Sequence, residues 1–557
     1  MRKALLLTAA VLVAVFVLLL VTLPPAPLAT PPADVGLASR TLSGAYHVHS
    51  LRSDGSGDRA AIAAAAARAG LGFVIITDHG DGTRAADAAA YIAGVLCIDA
   101  VEVSTNGGHY VALGIGAAPY PLGGEAAAVI EDVARLGGFG FAAHPDSGRP
   151  ELAWTDWTLP FDGVEWLNAD SEWRNETPRR LARVLFDYLI RPGPALASIL
   201  DRPASTLAQW DALAMKRRVL SIAGHDAHGG IGRSAEYRGT RQSSWAPGVP
   251  SYEASFRSFS TRVVLDNPPS GHAASDAGLL LAAIRSGRMF TAVDAFAGPA
   301  VLDFHARRGQ SLVSMGDTVA PGGASFTVQA AVPSGGRIVL LRNGDTLAES
   351  RGGSLTLEVP AAQGTYRVEV RLPGPGDPPA PWVLSNPIYF LERPAASPRL
   401  ETVATRPLPA GMPWHVEKDR GSSGSVVTSP AETAFYYRLR GPSRASQFVA
   451  AVAEVQGHAG AAGAVTFTAT AVRPARVSVQ LRYGGGGERW GQSVYLDEEP
   501  RDVMVPVAGM RPADHQTGPA PPATSATSLL FVVDLTNALP GAANTIRISR
   551  VGFAPTP

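Results

Sequence analysis

The sequence predicts a multidomain chain that joins an α/β domain to all-β domains, on three observations. The chain has 557 residues, of which 46% are hydrophobic, so two to four packed domains are expected. From residue 42 to 300, short apolar strands alternate with Ala-rich helical stretches, which indicates an α/β layer or barrel with a largely parallel sheet. Beyond residue 300 the hydrophobic period falls to two, as in β-sandwiches.

Residues 1–23 come first. Arg2 and Lys3 precede an uncharged run from Ala4 to Leu23, long enough as a helix to rise about 30 Å. The expectation is a transmembrane signal anchor. The runner-up is a cleaved signal peptide, disfavoured because the apolar run is long and no clean small-x-small site follows. The basic end should stay cytoplasmic, which places the remainder in a bacterial cell envelope, on the inner membrane facing the periplasm, or secreted. Residues 24–41, rich in proline, read as a stiff linker.

In residues 42–300 the expected strands are Phe73–Ile76, Ile98–Val103, Phe139–Ala143, Gly163–Leu167 and Val219–Ala223. Arg59–Ala69, Gly124–Leu136 and Pro178–Ile190 are the expected helices. Residues 301–395 alternate strictly: Phe326, Val328, Ala330 and Val332 on one face, Leu355, Leu357 and Val359 on another, Tyr366, Val368, Val370 and Leu372 on a third. Asn343-Gly344 marks a hairpin, and the whole suggests an immunoglobulin-like sandwich. Residues 396–557, with longer strand spacing and a loop from Arg511 to Ser528, fit a jelly-roll-like domain better. Trp490, Tyr483 and Tyr495 there read as core before they read as a carbohydrate contact.

Charge balances at 48 basic and 48 acidic residues, so nucleic acid is not an expected partner. Cys97 is the single cysteine, which excludes an internal disulfide; its apolar surroundings favour a buried, inert thiol.

Seven of the twelve histidines lie between His47 and His228. They occur in His47-Val48-His49, Thr77-Asp78-His79, His109, His144-Pro145 and His225-Asp226-Ala227-His228, with Asp54 and Glu102 between. Three of these groups follow the carboxyl ends of expected strands, the rim where α/β barrels collect functional side chains. Imidazole with carboxylate suits Zn²⁺, Mn²⁺ or Fe²⁺, and a carboxylate can bridge two ions. A metal-dependent hydrolase is therefore the leading expectation.

The order of these motifs resembles that of the PHP (polymerase and histidinol phosphatase) superfamily, and most of all its CehA/McbA-like branch. The resemblance covers residues 42–300. It implies a distorted (β/α)₇ barrel holding two or three divalent ions. The ligands it implies are His47, His49, Asp54, His79, Glu102 as a bridging carboxylate, His109, His144, Asp226 and His228. His225 departs from the family's pattern, where a small residue is usual. Asp78 is expected to orient a ligand imidazole, while Arg52, Arg149 and Arg233 are candidates to face a phosphate. The function so implied is phosphoester hydrolysis of a small-molecule substrate by a metal-bridged hydroxide. The alternatives are a carbamate, ester or amide hydrolase on the same barrel, or a surface binding protein whose barrel is vestigial.

Overall fold

The computed structural model describes residues 2–30, 34–230, 249–333, 336–372, 379–392, 405–409, 411–442, 445–460, 462–484, 487–513 and 518–555. They are mostly β-sheet, with several sandwich-like sheets and few helices. The chain divides into two compact units. The first comprises Met1–Gly80, Ala86–Ile115 and Val133–Arg393; the second comprises Asp81–Ala85, Gly116–Asp132 and Pro394–Pro557.

Two sheets of the first unit carry the motif residues. In one, Leu220–Gly224, Gly163–Asn168, Phe139–Ala142, Gly108–Leu113 and Val101–Thr105 lie side by side in that order. In the other, Thr41–Val48 runs parallel to Phe73–Ile76, which runs parallel to Val95–Asp99. Isolated bridges Val48↔Ala227 and His79↔Glu102 join the two sheets at the strand ends. One core, with Tyr46, Phe73, Leu96, Val111, Phe141 and Ile222, draws side chains from both sheets. A second core on the outer face places Val74, Ile76 and Cys97 against Ile62 and Ala66 of the helix Arg59–Arg68. That helix starts where the Asp58 side chain accepts a hydrogen bond from Ala61 N, a normal N-cap. Strands buried on both faces explain why these runs show no alternation.

Two expectations are corrected here. The expected strand Ile98–Val103 is broken at Ala100 into Val95–Asp99 and Val101–Thr105, which belong to different sheets. The sheet is also less parallel than expected, because Val101–Thr105, Gly108–Leu113 and Phe139–Ala142 pair antiparallel. The cause is a tight reversal in which Gly107 N donates to Thr105 Oγ1 at 3.1 Å.

Residues 301–392 continue the first unit. Val383–Ser385 pairs with Met289–Ala292, so one sheet runs on without a break. Buried Arg367 forks onto Asp211 with two 2.8 Å bonds, and Asn386 Oδ1 accepts from Ser221 N at 2.8 Å. Phe326–Ala331 alternates buried and half-buried, as the period-two pattern required. The strands Arg337–Arg342 and Asp345–Ser350 are joined at Asn343 and Gly344, both at positive φ (56° and 91°), the geometry that favours Asn-Gly in hairpins.

The second unit contains two six-stranded antiparallel sheets around a core with Phe435, Phe467, Val479 and Phe531. Trp490 and Tyr483 belong to that core, ring centroids 5.4 Å apart. Buried Arg476 pairs with Asp132 at 2.6 Å within this unit.

The N-terminal helix is present over Arg2–Thr22, with its described apolar side chains exposed. Among the described residues, no helix is long and apolar enough to cross a membrane; the side chains of Leu19 and Leu20 lie outside those residues.

Candidate metal centre

Glu102 is the hub of the site. It sits on Val101–Thr105, is 1% exposed, and lies against five imidazoles. Oε2 is 3.3 Å from His47 Nε2, 3.3 Å from His49 Nε2 and 3.1 Å from His79 Nδ1. Oε1 is 2.8 Å from His109 Nδ1 and 3.0 Å from His144 Nε2. Asp226 Oδ1 lies 3.2 Å from His49 Nε2 and 3.5 Å from His47 Nε2. Asp54 reaches His49 at 3.3 Å, His228 at 3.2 Å and His79 at 3.6 Å. The first pair converges at an irregular strand end: the strand closes at Val48, its register shifts between Ala45 and Val48, and both His47 and His49 reach Glu102 and Asp226.

Four overlapping triads have ligand atoms within 4.8 Å of one another: His47, Glu102 and His144; His47, His49 and Asp226; His49, Asp54 and His228; His49, His79 and Glu102. All nine ligands implied by the resemblance are thus gathered at one place. Eight of them fall in these triads. His109 does not: Nδ1 faces Glu102 and Nε2 is 3.2 Å from Ser104 Oγ, so both ring nitrogens already have protein partners.

The donor set fits divalent cations. His47 Nε2, His49 Nε2, His79 Nδ1, Asp54 Oδ1 and Glu102 Oε2 are buried without a hydrogen-bond partner, a costly state for polar atoms unless something binds there. All five residues belong to the triads. His47, His144 and Asp226 also hold positive φ, at 62°, 32° and 47°. Non-glycine residues seldom adopt that conformation, and such strain clusters at functional sites.

The electrostatics follow from packing so many groups together. Burial by itself lowers an imidazole pKa; at His47 this is outweighed by Glu165, Asp226 and Glu102, and the net shift is well upward. Burial alone raises the Glu102 carboxyl, but His47, His79, His109 and His144 bring it well below the usual carboxylate range. His228 is likewise raised to about 9, its burial outweighed by Asp54 and Asp226. His49 is lowered, by burial first and by His228 next. Cation uptake would compete with the protons that the raised imidazoles of His47 and His228 hold.

Glu165, read from sequence only as part of a strand, joins the cluster. Its Oε1 is 2.5 Å from His47 Nδ1, and its Oε2 accepts from His144 N and Asn168 Nδ2, both at 2.8 Å. Gly224 makes room for it: a Cβ there would sit 2.4 Å from Glu165 Oε1. The available signal was a lone acid in the apolar strand Gly163–Asn168, since buried charges need partners.

Asp78, expected to orient a ligand imidazole, reaches one only through a serine. Its carboxylate accepts from Ser50 N at 2.7 Å, Ser50 Oγ at 2.6 Å and Ser53 Oγ at 2.7 Å. Ser53 Oγ in turn is 3.3 Å from His49 Nδ1, so Asp78 orients that imidazole through a serine. His225 is structural: its ring stacks on Phe259 at 4.1 Å, Nε2 donates to Phe259 O at 3.0 Å, and burial lowers it to about 4.

A cavity of about 360 Å³ opens beside the cluster. Asp54, Asp226 and His228 form one side; Trp173, Leu196, Ile199 and Leu200 form an apolar side; Arg149 and Arg174 supply cations. Arg174 is ion-paired with Asp170 and was not anticipated. Arg52 is corrected: it pairs with Asp87 and, at 3.0 Å, with Asp99, and is absent from the cavity lining. Arg233 lies outside the described residues.

No protein-family model and no curated protein matches the chain. Three solved structures illustrate what it is similar to. A family 11 carbohydrate-binding module of a Clostridium thermocellum cellulosomal cellulase has 12% identity and a TM-score of 0.22, over 28% of this chain and 97% of that one. An agarase, AgWH50C, has 10% identity and a TM-score of 0.20, over 28% and 25%. TmCBM61 in complex with β-1,4-galactotriose has 16% identity and a TM-score of 0.18, over 26% and 89%.

Proposed function

We propose that residues 42–300 form a PHP-type barrel that binds two or three divalent cations and hydrolyses a phosphoester. The observation carrying this reading is the convergence of five imidazoles on Glu102, with several buried ligand atoms that make no hydrogen bond. His47, His49, His79, Glu102, His144 and Asp226 would hold cations, with Asp54 and His228 at the cavity side. When bound, such ions supply Lewis acidity that activates water and offsets charge on the reacting ester.

The chain's own groups do the remaining work. Glu165 accepts the His47 Nδ1 proton and so presents Nε2 to the centre, the usual carboxylate–histidine arrangement. Asp78 fixes Ser50 and Ser53, and thereby the loop that carries Asp54. Arg149 and Arg174 meet the anionic part of the substrate at the cavity. We propose the N-terminal helix as a tether to a bacterial envelope membrane, on its 21 residues and exposed apolar side chains.

One observation favours the second reading, a carbamate, ester or amide substrate. Arg174 is already paired with Asp170, and the facing cavity wall is apolar, so the pocket offers less positive charge than a phosphate would use. Metal analysis with a panel of phosphate and acyl esters tests both readings. The double substitution His47→Ala, His49→Ala should abolish metal binding and turnover together. A wild-type protein that contains no metal and turns over nothing refutes the hydrolase and leaves a binding protein.

A further inference from the structure

We infer that the face formed by helix Pro178–Tyr188 and the residues up to Arg191 rests on a lipid surface. This goes beyond the tether proposed above, and rests on it, by assigning a second membrane contact to the folded unit itself. The helix is amphipathic. Val184 is buried in a small core with Ala195, Leu196 and Ile199, while Leu185, Leu189 and Ile190 are 42%, 80% and 50% exposed. Three large apolar side chains standing together at a helix end form a patch that water does not favour.

The occupant follows from what lies next to this patch. Arg183 Nη2 donates to Thr22 O at 2.7 Å and also bonds Thr22 Oγ1. Arg191 Nη1 donates to Pro24 O at 2.6 Å. Thr22 is the last residue of the N-terminal helix, whose described apolar side chains are exposed all round. The end of that helix is therefore clamped to the same helix that carries the patch. A bilayer that takes up the N-terminal helix must approach Leu189 and Ile190 as well.

Charge agrees. Arg179 is exposed on this helix and Arg191 follows it, while Arg180 pairs with Glu176 at 3.0 Å and Arg183 with Asp187 at 2.9 Å. Arginines with apolar stems reach toward headgroups while neighbouring aliphatic side chains enter the acyl boundary. The partner is thus an anionic bilayer, not a soluble protein.

The test uses the full chain, in which buried Cys97 leaves room for a single introduced label. Leu189→Cys carries an environment-sensitive fluorophore; Leu347→Cys, exposed on the strand Asp345–Ser350, is the control. Protein is reconstituted into vesicles of phosphatidylcholine and phosphatidylglycerol containing a shallow spin-labelled lipid quencher. We expect quenching at position 189 and none at position 347. Arg179→Gln should weaken the preference for anionic over neutral vesicles by about fivefold, the effect of about 1 kcal/mol per arginine near a charged surface. Sedimentation with vesicles while the label at 189 stays open to aqueous iodide overturns the inference and leaves the tether intact. Failure to sediment refutes the tether and the inference with it. Burial of the label without lipid, rising with protein concentration, assigns the patch to a second copy of the chain and also overturns it.

Discussion

The substitution Glu165→Gln tests whether the centre depends on a carboxylate that touches no cavity. Glu165 Oε2 accepts two donors, His144 N and Asn168 Nδ2, and Oε1 faces His47 Nδ1. A glutamine has one acceptor oxygen and one donor nitrogen. The oxygen will take the Oε2 position, where it satisfies two donors. The amide nitrogen then confronts His47 Nδ1, which must become an acceptor, moving the ring proton to Nε2. That is the nitrogen 3.3 Å from Glu102 and 3.5 Å from Asp226, so His47 can no longer present a lone pair to a cation. Losing a carboxylate partner of a metal-binding histidine costs about 10- to 100-fold in affinity, or about 1.4–2.8 kcal/mol. Competition against a graded series of chelators, with metal content read by elemental analysis, measures it directly. Nitrogen-15 chemical shifts of the His47 ring report the tautomer independently. Wild-type affinity together with an unchanged Nε2 lone pair in Glu165→Gln would refute the reasoning.

Three further outcomes are expected. Arg174→Ala should raise KM about tenfold for an anionic ester with kcat changed much less, as for a group binding ground and transition states alike; steady-state kinetics decide it. Buried Glu172, whose burial raises its carboxyl to about 8, holds a proton in the folded state that the unfolded chain releases near 4.5. The folded state thus binds more protons between these values, so stability falls as pH rises through that window and is flat on either side. At full burial the shift amounts to about 5 kcal/mol, and Glu172→Gln should remove the slope in urea melts taken from pH 4 to 9. Cell fractionation should find the full chain in the membrane pellet and a chain starting at residue 34 in the soluble fraction; recovery of both in the soluble fraction rules out the tether.

The sequence was legible where chemistry and periodicity are local. Phe73–Ile76 reads as a strand because four apolar residues end at Thr77-Asp78-His79, and it is one. The Asn343-Gly344 hairpin was legible because only a few residue pairs take two successive positive φ values cheaply. The gathering of His47, His144 and Asp226 was legible through strand ends, which fix where a side chain is delivered without knowledge of the full topology. What was not legible depends on pairing partners. Nothing within Ile98–Val103 announces that Ala100 divides two sheets, because an apolar strand reads the same whichever neighbour it takes. Arg174 was hidden for a related reason: its place beside the cavity is set by where helix Ala169–Asn175 packs, and its own neighbours Trp173 and Asn175 look like any surface helix.

The same distinction bears on the candidate centre itself. Five imidazoles around Glu102 come from four separate strands or strand ends, and three of the ligand residues sit in strained backbone. Neither arrangement is favourable without a ligand: the strain costs of order 1–3 kcal/mol per residue, and each orphaned polar atom adds about 1–3 kcal/mol. A chain with no use for cations could replace the whole cluster by hydrophobic side chains of similar volume at little or no cost, since such replacements commonly match or better a buried ionic cluster. Cations bound between these groups would offset that cost, which is why the strain and the crowding of ligand atoms fall on the same residues.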